Sequence, residues 1–143
     1  LTKFLLSVHV LAAILVVGPI AVAASLFPRY ARAEGGGGAL LHRICRGYTV
    51  VGIAVPVFGV ATGAALGVLT DVWLLVSVVL TAIAAGILVL AILPGQRRLL
   101  DLPEKAEPGR LATRLSMLTG VFNLLWAVVV VLMIVRPGST TGA

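Results

Sequence analysis

Four uncharged runs, Phe4–Pro28, Gly47–Thr70, Val72–Gln96 and Leu115–Val135, take up most of this 143-residue chain. Each has the length an α-helix needs to cross about 30 Å of hydrocarbon at about 1.5 Å per residue. The expected fold is therefore all-α and integral to the membrane. It is a single four-helix transmembrane bundle over residues 1–143, with spans at about 4–28, 47–70, 72–94 and 113–135. Cytoplasmic loops are expected at 29–46 and 95–112. Charged residues make up only 11% of the chain, against about a quarter in a soluble domain. Spans, loops and tails leave no length for a soluble catalytic domain, so a non-catalytic role is expected.

The net charge of +6 raises nucleic acid as a partner, and its distribution argues against it. Arg29, Arg32, Arg43 and Arg46 fall between spans one and two. Arg97, Arg98, Lys105, Arg110 and Arg114 fall between spans three and four. These positions suit contact with anionic lipid and the setting of topology. Nine basic residues stand on that side and two, Lys3 and Arg136, on the other. The positive-inside rule puts both loops in the cytoplasm and both termini outside. Arginine outnumbers lysine nine to two, and Ala, Val, Leu and Gly dominate, which points to a GC-rich bacterium and its inner membrane. Lys3, the apolar run and Ala21 to Ala24 resemble a secretory signal. That run is longer than a signal core, and four arginines follow it, so a retained span is expected.

Gly35 to Gly38 cannot hold regular structure cheaply and reads as a flexible connector. Ala39 to Arg46 then reads as a helix running into span two, with His42 and Cys45 at its surface. The turn at Asp71 makes spans two and three a tight hairpin, with Asp71 capping span three. Spans one and three both end at a proline followed by basic residues. Spans two and four both begin with an arginine six residues before a glycine, Arg46 to Gly52 and Arg114 to Gly120. That faint repeat suggests two hairpins related by an axis along the membrane normal.

Helix association in lipid relies on close packing at small residues. Gly59, Gly63 and Gly67, with Gly52 before them, form a smooth face on span two. Ser77, Thr81 and Ala85 are spaced to answer it from span three. Ser116, Gly120, Asn123 and Ala127 line one side of span four. Pro56 should kink span two or loosen one turn. Asn123 needs a partner on another helix. Trp73 fits an interface anchor, and Trp126, lying deeper, fits packing.

His9 is the one histidine within a span, about 9 Å below the outer surface at helical rise. An ionisable group at that depth is a candidate for cofactor binding, proton relay or quinone contact. Against this stands a histidine simply hydrogen-bonded between helices. His42 lies at the opposite end of span one and cannot share a haem with His9. His42 and Cys45, three apart, are too few for a metal site, and Met117 and Met133 lie toward opposite faces.

The run Ser7-Val8-His9-Val10-Leu11-Ala12-Ala13, then Gly18, then Leu26-Phe27-Pro28-Arg29-Tyr30, resembles the opening helix of small bacterial membrane proteins. The similarity is to the superfamily of copper-resistance protein D and the membrane protoporphyrinogen oxidases. It looks closest to a four-span branch of unknown function, with Gly63, Gly67 and Trp73 placed as in that branch. The resemblance implies that His9 matches a proposed first-span haem ligand. A recognisable second intramembrane ligand is lacking.

The favoured expectation is an accessory subunit or assembly factor of a larger membrane complex, with the respiratory chain as first candidate. Its partners would be membrane lipid and other membrane subunits or a second copy, and no cofactor is expected. The alternative is a haem- or quinone-associated redox protein using His9. A small-solute transporter ranks third, because no buried charge marks a pathway.

Overall fold

The computed structural model describes residues 1–31, 36–103, 107 and 109–137. Backbone polar groups inside hydrocarbon must be bonded within the protein, and helices accomplish this segment by segment. The helices are α1 (Thr2–Tyr30), α2 (Gly37–Val51), α3 (Ala54–Leu66), α4 (Val72–Ile87), α5 (Leu93–Asp101) and α6 (Gly109–Val135). A π-helical turn, Leu88–Ile92, joins α4 to α5. They make four units long and apolar enough to span: Thr2–Tyr30, Gly37–Leu66, Val72–Asp101 and Gly109–Val135. This is a small, all-helical, four-span protein of membrane type.

The helices run past the expected span limits. Residues 39–46 are helical and run into span two as expected, while Gly37 and Gly38, expected in a flexible connector, and 95–101, expected in a loop, are helical as well. Each unit of 27–30 residues is about 40–45 Å long, which exceeds the hydrocarbon thickness. The excess keeps Arg43 and Arg46 on the expected helix and places Arg97 and Arg98 on a helix instead of a loop.

Two prolines distort the spans in different ways. Pro56 has no N–H for the Gly52 carbonyl. That carbonyl instead accepts from Val55 N at 3.1 Å, and the span breaks between α2 and α3. The loosened turn expected from Pro56 is therefore present. Pro94, by contrast, does not end span three. The Leu93 N–H reaches back to the Leu88 carbonyl, the wide turn absorbs the missing donor at Pro94, and the helix continues to Asp101.

α1 lies between the two remaining sides of the bundle, packing on α2 and α3 and also on α6. α4 packs on α6, and α5 packs on α2. α3 and α4 share a short turn but barely touch each other. The glycine face of span two thus meets α1 more than span three. A Cβ at Gly59 would stand 2.8 Å from His9 Cε1, and one at Gly52 would stand 3.2 Å from Val16 Cγ1. Gly63 faces the Leu74 and Leu69 side chains. Gly67 does not pack against a neighbour. It ends α3 in the left-handed region at φ 72°, with Gly67 N bonded to Ala64 O and Val68 N to Gly63 O, a Schellman arrangement. A Cβ at Gly120 would meet nothing within 4 Å. Ser77, expected to answer the glycine face, is buried and donates to its own helix at Trp73 O, 2.8 Å.

The end of the bundle holding the 67–71 turn closes over Val68, Trp73 and Leu74, with Met133 against them. Trp73 is 6% exposed, so it is packed inside the fold and does not project as an anchor. Its indole N–H donates to Asp71 Oδ2 at 3.2 Å, and the Arg136 guanidinium lies 5.5 Å from its ring centroid. Asp71 stands at the helix start as expected, but no side-chain cap forms. Its carbonyl accepts from Leu74 N and Leu75 N, while its carboxylate serves Trp73.

Candidate functional site

His9 and His42 occupy separate places. His9 sits on α1 opposite the start of α3, and its Nδ1 is 2.9 Å from the Val55 carbonyl. A carbonyl only accepts, so Nδ1 carries a proton and donates it, which leaves Nε2 as the other ring nitrogen. The ring fits because Gly59 has no side chain there. His9 is partly buried and ties α1 to α3.

His42 and Cys45 are not at the surface of an interfacial helix, which corrects the expectation above. They are 8% and 0% exposed. Three residues apart, they share one face of α2, and α2 turns that face toward α1 and α5. Arg43 and Arg46 fall on the exposed side. The buried face meets Gln96, itself 1% exposed. His42 Nδ1 donates to Gln96 Oε1 at 2.9 Å, Gln96 Nε2 donates to Cys45 Sγ at 3.6 Å, and Cys45 Sγ donates to Ile20 O at 3.9 Å. This directional chain links α2, α5 and α1. Phe27 closes it, its ring tilted 58° to His42 with centroids 6.4 Å apart. Among the described residues no buried side-chain nitrogen or oxygen lacks a partner.

Gln96 was missed from sequence because it precedes Arg97 and reads as the start of a loop. The signal was available: it is the one amide in the run Val72–Gln96, and burial of such a group demands partners.

Above this network lies a cleft of about 300 Å³ between α2 and α5, lined by Ala39, His42, Arg43, Arg46, Arg97, Leu100 and Asp101. Arg97 Nε is 3.8 Å from Asp101 Oδ2. Both side chains are largely exposed, so that pair adds little stability. Arg29 and Arg98 are exposed at the same end without lining the cleft. Arg32 lies outside the described residues. A second groove, lined by Arg43, Ile44, Gly47, Tyr48 and Val51, adjoins the cleft through Arg43.

Asn123 finds its partner on another helix: Nδ2 donates to Ser25 Oγ on α1 at 3.2 Å. Trp126 Nε1 donates to Asn123 Oδ1 at 3.2 Å. Among the described residues no three His, Cys, Asp or Glu side chains gather as a metal-binding set. No family model, curated protein or solved structure matches this chain.

Proposed function

We propose that the chain is a non-catalytic accessory subunit or assembly factor of a larger bacterial membrane complex, first of all a respiratory one. The observation that carries this reading is the Ser25–Asn123 pair, which stands open on the outer surface of the α1–α6 contact. Asn123 lies eight residues into the apolar run that starts at Leu115, about 12 Å along the helix. Polar groups facing hydrocarbon cost free energy that a neighbouring helix relieves. Gly120 and Ser116 are exposed on the same helix, and Gly120 offers a smooth approach. Native purification in mild detergent with mass spectrometry tests the proposal. A stoichiometric larger partner is expected with the wild type and lost with Gly120→Leu, whose Cβ would meet nothing within 4 Å in its own chain. A protein that purifies alone, or a partner indifferent to Gly120→Leu, sinks the reading.

The competing reading is a redox protein with haem or quinone at His9, and kinship with the copper-resistance protein D superfamily belongs to it. What favours it is the His9 tautomer. A carbonyl on Nδ1–H is a common support for a ligating imidazole, and Nε2 would be the nitrogen offered to iron. A Soret band that disappears in His9→Ala would establish it.

The proposed orientation has both termini outside and the α2–α5 cleft in the cytoplasm, from the nine-to-two basic asymmetry. A cysteine placed at the exposed Glu107 should resist an impermeant thiol reagent in intact cells and react in inverted vesicles. Labelling of intact cells would reverse the orientation.

A further inference from the structure

The geometry points to a discrete binding site for one anionic phospholipid: phosphate in the α2–α5 cleft and acyl chain in the adjoining groove. The cleft presents three guanidinium groups, Arg43, Arg46 and Arg97, around a volume of about 300 Å³. Among the described residues Asp101 is the one carboxylate lining it, and its pairing with Arg97 at 3.8 Å is loose and solvent-exposed. Three cations against one anion leave two positive charges, which match a head group carrying two phosphates better than one. Guanidinium donors suit phosphate oxygens, which they engage through paired N–H groups. Basic pockets between spanning helices are a recurrent setting for such head groups.

The three arginines also share one level. Arg46 immediately precedes the apolar run Gly47–Thr70, with Arg43 one helical turn before it, and Arg97 immediately follows the run Val72–Gln96. All three therefore stand at one hydrocarbon edge, where lipid phosphates lie. The helical overshoot of α2 and α5 holds them on rigid backbone. The buried bond from His42 to Gln96 fixes the floor between the two helices.

The adjoining groove decides for a lipid over a free anion. It is lined by Ile44, Gly47, Tyr48 and Val51, all on the first turns of α2 to enter the hydrocarbon. Arg43 borders both parts, so charge above and apolar surface below are continuous, in the order a phospholipid presents them. Gly47 leaves the groove open, since a Cβ there would meet nothing within 4 Å. A soluble phosphate compound would use the cleft and ignore the groove.

Native mass spectrometry of the full chain in mild detergent tests this, with diphosphatidylglycerol or phosphatidylcholine added. One diphosphatidylglycerol per chain should be retained, with phosphatidylcholine at background. Arg46→Gln with Arg97→Gln should lower retention about thirtyfold, the loss of two surface arginines. Arg110→Gln with Arg114→Gln removes the same charge outside the cleft and should change retention little. Gly47→Leu should also expel the lipid, although its Cβ would meet nothing within 4 Å in the chain itself and the change gains helix propensity. Equal losses in both double variants would reduce the effect to general surface charge and overturn the site. Stoichiometric binding of inorganic pyrophosphate, undisturbed by Gly47→Leu, would assign the cleft to a soluble anion and overturn the lipid.

Discussion

Gly38→Ala is expected to lower the thermal midpoint of the protein in detergent, against the usual sign of that substitution. In an open helical position the change stabilises by about 1 kcal/mol. At Gly38 the new Cβ would lie 2.6 Å from Ala31 Cα, 2.9 Å from Tyr30 O and 3.0 Å from Ala31 O. All three atoms are backbone, so no rotamer change relieves the overlap. The start of α2 must move away from the end of α1, at an overpacking cost of about 1–3 kcal/mol. Gly47→Ala is the internal control, with open space around its Cβ. Differential scanning fluorimetry of the two variants should separate them in opposite directions from wild type. Matching midpoints would mean that the α1–α2 approach is looser than described.

The second large effect is expected at Gln96→Leu, which removes the amide and leaves a branched apolar side chain one atom shorter. His42 Nδ1–H then loses its acceptor, and Cys45 loses its donor, both in buried surroundings. A stranded buried donor costs about 1–3 kcal/mol, whereas replacing both partners by apolar groups can be nearly neutral. The double change His42→Leu with Gln96→Leu should therefore recover much of the stability lost by Gln96→Leu alone. Maleimide labelling of Cys45 gives an independent reading. The thiol is fully buried in the wild type and should react faster in the single variant. A single variant as stable as wild type, or a double variant worse than either single, would remove the network from the account of stability.

These two sites mark where sequence reading stopped. The spans were legible because uncharged length is a local property that hydrocarbon imposes directly. The loosened turn at Pro56 was legible for the same reason, since a missing N–H acts within one turn. Gly38 was not. A glycine run reads as flexible because backbone entropy is the local term, and close approach by Ala31 of another helix is not local. His42 and Cys45 show a different gap. Their shared helical face was evident from spacing, but Arg43 and Arg46 beside them suggested solvent. Which face turned inward depended on Gln96, 54 residues beyond His42. Asn123 was readable as a group in need of a partner, while Ser25 as that partner was not. At His9 the chemistry of the residue was plain, and the carbonyl that fixes its tautomer came only with the fold.

The central position of α1 has a consequence for how the chain is made. Its His9 bonds to Val55, 46 residues later, and its Ser25 bonds to Asn123, 98 residues later. At about 5–20 residues per second of synthesis, Val55 follows His9 by about 2–9 s and Asn123 follows Ser25 by about 5–20 s. α1 thus leaves the ribosome before the helices that satisfy its polar groups. During those seconds it depends on whatever the insertion machinery offers in place of its own later helices.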